Sequence, residues 1–253
     1  AHVQRDGRHG ACRDHPRKAF FLFSAGDRAR KERRQYETEG KAARRLHEIS
    51  DPAAVGEHGY AAKPELQWLR EKVRPYLTEK RARHVAGCEE QAVKLARRWG
   101  ADVYEAAEAG ILHDITKKLS DEEQLIMCDK YGIILDAAER RNPRILHART
   151  GAALARELFG IPDGIYSAIR WHTTGKPDMS LMEKIIYLAD FTEPTRDFEG
   201  VEPLRKLCFE DIDRAMELGL RMSLEEIRLR GEDAYKDTVD AYQWYKKEQG
   251  GSA

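Results

Sequence analysis

A chain of 253 residues is long enough for one sizeable core, or one core with an appendage. Its 44 Lys and Arg balance 44 Asp and Glu, and 41% of its residues are hydrophobic, the composition of a soluble, helix-rich globular protein. The longest apolar runs, such as residues 19–24 and 185–189, are far too short to cross a bilayer, which excludes a membrane-spanning class.

Residues 1–62 do not read as a compact domain. Residues 1–50 hold 13 Lys and Arg against 7 Asp and Glu, a net of +6, so the remainder of the chain carries −6. Residues 28–45 are nearly all charged or polar, and only 20–23 are strongly apolar. The expectation is a basic, poorly structured segment of unknown role, with contact to nucleic acid as the alternative. No charged-then-apolar leader is recognised there. Cys12, Cys88, Cys128 and Cys208 are widely scattered, with no close pair, and read as reduced, mostly buried residues of a cytoplasmic protein.

The pattern changes near residue 63. Leu66, Leu69, Val73 and Leu77 recur at three- and four-residue steps, which predicts a helical face. Over 78–99 the stripe Val85, Cys88, Ala92, Leu95 and Ala96 predicts a second helix, closed by Gly100 as C-cap. Asp102 is placed to cap a helix over 103–112. Ser120 with Glu123 forms a capping box that opens a helix ending near Tyr131-Gly132. A polar connection (139–144) precedes a helix over 146–159 that stops at Gly160. Pro162 starts another, running to about His172, and 173–177 reads as a loop. Ser180 and Glu183 form a second capping box, launching 181–191 up to the break at Pro194. The tail, 204–248, reads as further helices with Gly231 as its clearest break. No stretch alternates as a strand does, so the expected fold is all-α, a helical bundle over residues 63–250.

Five of the nine histidines lie in the basic head. The other four, His84, His113, His147 and His172, each fall in or at the end of a different predicted helix. Asp114 follows His113 directly, and Asp190 ends the apolar run 185–189. A lone histidine on a helix is ordinarily a core or surface residue. An unpaired buried carboxylate is different, since it costs on the order of several kcal/mol, so Asp114 and Asp190 need positive partners. Helices that each offer one inward imidazole or carboxylate are how a bundle builds a metal site in its core. These donors suit iron, manganese or zinc.

The order His84, His113-Asp114, His147, His172, Asp190 resembles that of HD-domain metal phosphohydrolases, in the variant whose extra histidines hold two metals. More specifically, residues 78–248 resemble the bacterial YqeK family of HD-domain symmetrical diadenosine tetraphosphate hydrolases. The resemblance is carried by Arg83-His84, Gly110-Ile-Leu-His-Asp-Ile-Thr-Lys117, Ala168-Ile-Arg-Trp-His-Thr-Thr-Gly175, Met179-Ser-Leu-Met-Glu-Lys-Ile-Ile-Tyr-Leu-Ala-Asp190 and Glu193-Pro194.

That resemblance implies an HD-domain bundle with its metal site in the core. His84, His113, Asp114 and Asp190 would bind one ion, and Asp114 would bridge to a second held by His147 and His172. It implies two divalent ions, iron foremost, and a metal-bridging hydroxide that attacks phosphorus and yields two ADP. Lys117, three residues after Asp114, projects to the same side if the segment stays helical, which makes it a catalytic and phosphate-binding candidate beside Asp114. Thr173, Thr174 and Gly175 follow His172 in a loop whose hydroxyl and amide groups suit phosphate oxygens. Arg196 and Arg205 flank residues 197–200 and are candidates to clamp distal phosphates. Trp171 reads as core packing rather than an adenine platform. The expected partner is a dinucleoside polyphosphate or other nucleotide, with no nucleic acid or membrane and with room for a homodimer. The alternatives are another HD-domain nucleotide phosphatase or phosphodiesterase, and a non-catalytic nucleotide- or RNA-sensing module.

Overall fold

The computed structural model describes residues 64–250; the basic segment read over 1–62 lies outside the described residues. Eleven α-helices and two short 3-10 turns make up the described part, and no strand occurs in it. The first helix, α1 (Pro64–Val73), gives way to a 3-10 turn at Arg74–Tyr76. Pro75 sits in that turn and has no N–H with which to continue the ladder. Leu66, Leu69, Val73 and Leu77 are all buried, the face that their spacing required.

Helix α2 (Glu79–Trp99) is the longest, with 21 residues. The Thr78 hydroxyl accepts the Arg81 amide at its start, and Gly100 closes it in the left-handed conformation at φ 73°. Val85, Cys88, Ala92, Leu95 and Ala96 turn inward as a buried stripe. Asp102 caps α3 (Val103–Leu112) by accepting the amides of Tyr104 and Glu105. Helices α2 and α3 meet backbone to backbone at Gly110, where a Cβ would stand 2.8 Å from Glu89 Cα.

The Ser120–Glu123 capping box opens α4 (Asp121–Lys130). The polar connection after it holds more order than its composition implies. Asp136 and Glu139 form a further capping box that launches a five-residue helix, α5 (Ala137–Arg141), before the 3-10 turn Pro143–Ile145. No residue of α5 is buried, so it leaves no apolar stripe to read. Then come α6 (Leu146–Phe159), α7 (Asp163–Trp171) and α8 (Leu181–Thr192), the last opened by the Ser180–Glu183 box. The tail is three helices: α9 (Val201–Glu210), α10 (Ile212–Leu229) and α11 (Lys236–Gly250). Gly231 breaks it as expected, but so does Asp211, whose carboxylate accepts the Arg214 amide at the start of α10.

Helix α2 packs on α3 and α8, α6 on α7, α7 on α8, and α10 on α8, α9 and α11. Residues 185–189 are buried without exception, so the middle of α8 runs through the core. Each fully buried Ile or Leu there contributes about 1.5–3 kcal/mol. This packing brings the second turn of α2, the end of α3, the start of α6, the end of α7 and the last turns of α8 to one place. No helix of the described residues is long and apolar enough to cross a membrane.

Candidate metal centre

The five helix segments that meet each contribute to one cluster. His84 comes from α2, and His113 is the C-cap of α3 with Asp114 next to it. His147 comes from the first turn of α6, His172 is the C-cap of α7, and Asp190 lies two residues before the end of α8. The six side chains, separated by up to 106 residues in sequence, form three overlapping donor groups, in each of which the ligand atoms lie within 4.8 Å of one another. Sequence order had grouped these residues; the fold brings all six together.

Asp114 organises the cluster. Its Oδ2 faces His84 Nε2 at 3.6 Å and His113 Nε2 at 3.5 Å. Its Oδ1 faces His147 Nε2 at 3.4 Å and His172 Nε2 at 3.7 Å. The two imidazole pairs are themselves close, with Nε2 atoms 3.3 Å apart in the first and 3.2 Å in the second. Asp190 Oδ1 joins the first group, 2.9 Å from His84 Nε2 and 3.9 Å from His113 Nε2. One carboxylate thus stands between two sets of inward nitrogens.

Asp114, Asp190 and His147 are shifted toward the forms that bind a cation. Burial opposes charge on Asp114, but His113, His172 and His147 around it hold its carboxyl well below the usual range. Burial likewise opposes charge on Asp190, and the His84 hydrogen bond with the Arg196 charge holds it well below. Burial, reinforced by the Lys117 ammonium, pushes His147 well below the imidazole range, so it is neutral with a lone pair to give. His113 differs: burial opposes its charge, but Cys88 and Asp114 raise its pKa well above the imidazole range, so a bound ion would displace its proton. Two carboxylates and four imidazoles at these separations are a donor set that fits a first-row divalent ion.

Other candidates divide. Lys117 Nζ lies 3.3 Å from both ring nitrogens of His147, and the turn continuing α3, with the Lys117 amide on Asp114 O at 3.0 Å, keeps both on one side. Burial, with Arg81 and Arg196 nearby, depresses the Lys117 pKa, partly offset by Asp114 and Asp190. Thr173 Oγ1 sits 3.2 Å from His147 Nε2 and 3.1 Å from His172 Nε2, inside the cluster. Arg196 is at its edge, bonded to Asp190 Oδ1 at 2.7 Å and to the Asp190 carbonyl at 2.9 Å.

Three candidates point elsewhere. The Thr174 hydroxyl is buried on the Gly175 carbonyl. Gly175 gives its amide to Trp171 O at φ 66°, so it ends α7. Arg205 gives its guanidinium to the carbonyls of Thr192, Glu193 and Arg196, and so ties down the chain after α8. Trp171 is packed against the core, as expected, with Arg170 4.0 Å over its ring.

Two residues at the cluster escaped the sequence reading. Arg81 Nη1 donates to Asp114 Oδ2 at 2.6 Å, and Glu193 Oε1 is 3.0 Å from His84 Nδ1. In the sequence Glu193-Pro194 signals only the family resemblance, and Arg81 lies in an arginine-rich helix start that hides it. A buried network also pins the turn after Asp114: the Thr116 hydroxyl donates to His147 O, and Thr150 donates to Gln124 Oε1 at 2.6 Å.

The HD domain family matches residues 81–195, a span that includes all six clustered side chains. The symmetrical bis(5'-nucleosyl)-tetraphosphatase of Bacillus subtilis (strain 168) is 38% identical over 176 residues, which is 68% of this chain and 92% of that protein. The chain belongs to the HD-domain family of symmetrical bis(5'-nucleosyl)-tetraphosphatases. A second member of this HD-domain family, from Staphylococcus aureus (strain NCTC 8325 / PS 47), is 31% identical over 67% of this chain and 88% of its own. A crystal structure from Clostridium acetobutylicum, described as a "predicted HD superfamily hydrolase involved in NAD metabolism", superposes with a TM-score of 0.70 at 35% identity. It covers 72% of this chain and 97% of that one. The HD-domain match ends one residue short of Arg196, and Arg205 falls outside it.

Proposed function

We propose that this chain hydrolyses diadenosine tetraphosphate symmetrically to two ADP, with two divalent ions, iron first and manganese as a substitute. The observation that carries the reading is the division of Asp114, one oxygen toward His84 and His113 and the other toward His147 and His172. When bound, divalent ions at such a site lower the pKa of a coordinated water and draw charge from phosphoryl oxygens.

The chain's own groups account for the rest. His84, His113, Asp114 and Asp190 would hold one ion, and Asp114, His147 and His172 would hold the other. Asp190, Arg81 and Arg196 have side chains 20%, 30% and 37% exposed, which marks the open edge of the cluster. Arg81, Lys117 and Arg196 gather there and create positive potential on a chain whose formal charge is zero. A tetraphosphate bridge enters from that edge, its charge met by the three cations, while the Thr173 hydroxyl donates to a phosphoryl oxygen. Water attacks the second phosphorus, and the bond from it to the central bridging oxygen breaks. One ADP leaves with that oxygen and its electron pair, and the other retains the oxygen delivered by water.

We propose further that residues 63–250 form the catalytic unit and that the protein works in the cytoplasm. The free, buried Cys88, Cys128 and Cys208 support the second point. Product analysis tests the main reading. Full-length chain loaded with Fe2+ or Mn2+ should convert diadenosine tetraphosphate to ADP alone. ATP plus AMP, or tight nucleotide binding without turnover, would contradict it.

A further inference from the structure

The four imidazoles are held by their outer nitrogens in two different ways. His113, His147 and His172 each place Nδ1 2.7 Å from the backbone carbonyl three residues earlier, that of Gly110, Arg144 or Ile169. Gly110 and Ile169 lie in the last turns of α3 and α7, where carbonyls lack a partner in their own helix, and Arg144 lies in the 3-10 turn before α6. His84 has no such recourse. It sits in the second turn of a 21-residue helix, where the carbonyls below it are taken up by the helical ladder. Its Nδ1 is instead 3.0 Å from Glu193 Oε1, a residue 109 positions away.

We propose that Glu193 is a positioning residue for the metal centre. With an ion bound, it would take the Nδ1 proton of His84 as a hydrogen bond and leave the Nε2 lone pair, which faces Asp114 and Asp190, for that ion. Gly87 is the residue that admits it. The inference rests on the metal reading above and deepens it.

Glu193 is 1% exposed, and its carboxylate is fixed from the other side. The Thr195 amide donates to Oε2 at 2.6 Å and the Thr195 hydroxyl to Oε1 at 2.5 Å. Gly87 stands three residues after His84 on α2, facing the same carboxylate. A Cβ there would overlap Glu193 Oε2, with Pro194 Cδ in contact at 3.4 Å. The backbone at Gly87 is ordinary helix, where glycine costs about 0.5–1 kcal/mol relative to alanine. Space for Glu193, not backbone freedom, is what requires it. The same stretch after α8 holds Asp190 through Arg196, so His84 and Asp190, 2.9 Å apart, are both set by a single loop.

A carboxylate behind a ligating imidazole fixes its tautomer and raises its basicity, and losing it typically costs about 10–100-fold in metal affinity. The test is titration of metal-stripped full-length chain with Mn2+ by calorimetry, alongside diadenosine tetraphosphate turnover as Mn2+ is raised. Glu193→Ala should weaken Mn2+ binding about 10–100-fold, and turnover should recover when Mn2+ is raised by the same factor. Glu193→Gln keeps the volume and one acceptor oxygen and should fall between. Gly87→Ala, which leaves Glu193 in the chain, should shift affinity in the same direction as Glu193→Ala. Wild-type affinity in Glu193→Ala overturns the inference, as does lost turnover that excess Mn2+ fails to restore. Should Glu193→Ala not fold, Glu193→Gln decides by the same two readings. Wild-type chain that binds no Mn2+ sinks the metal reading itself, a distinguishable failure.

Discussion

Asp114 has an oxygen on each side of the cluster, so its loss should empty both proposed ion sites. Asp114→Ala should remove bound Mn2+ and lower turnover by more than the roughly 10²–10³-fold that one lost electrostatic donor costs. Circular dichroism should show its helices intact; retained turnover would refute the assignment. Lys117 tests a different role. Lys117→Met should leave Mn2+ binding in place and lower kcat by about 10²–10³-fold if, as proposed, the ammonium meets charge that grows as the phosphorus reacts. Arg205→Ala should behave as a stability variant. It deprives three backbone carbonyls of their donor, for about 1–3 kcal/mol in thermal unfolding, while KM holds. The contrast between these residues shows what a sequence can carry. His113-Asp114 and Asp190 were legible because a carboxylate in an apolar stretch demands a partner. Arg205 carried no such demand, and an arginine near a loop reads the same whether it binds phosphate or caps carbonyls. Arg81 and Glu193 act across 33 and 109 residues, distances over which no local spacing rule reaches.

At the scale of elements, termini were the most legible feature and crossings the least. Thr78, Asp102, Ser120 and Ser180 cap as their residue types dictate, because a cap is a local bond between a side chain and an amide two or three residues on. The capping box at Asp136 obeys the same rule, yet α5 has no buried residue to complete a pattern, and it read as a loop. Helix crossings depend on contacts between distant segments. Gly110 shows it: in the sequence it is one glycine before His113, and in the fold it is where α3 rests on the backbone of α2. Gly110→Ala should force the helices apart and lower stability by about 1–3 kcal/mol in thermal melts. It should also weaken Mn2+ binding, because His84 and His113 ride on the two helices displaced. An unchanged melt would mean the crossing is slack.

For the whole molecule, metal and fold are linked. Five helix segments converge on the His and Asp cluster, so bound metal should stabilise the bundle by mass action, about 2.7 kcal/mol at a hundredfold excess over Kd. The melting temperature should climb with Mn2+ and fall back on chelation, and a flat response would separate the site from the fold. The all-α architecture was legible because helical stripes run through most of the described residues, whereas the geometry of Asp114 between two imidazole pairs belongs to the packed bundle alone. Anomalous diffraction from crystals grown with Mn2+ would locate the ions directly. Two peaks are expected, one among His84, His113, Asp114 and Asp190 and one among Asp114, His147 and His172. No peak at the cluster, or ions that leave Asp114 uncoordinated, would contradict it.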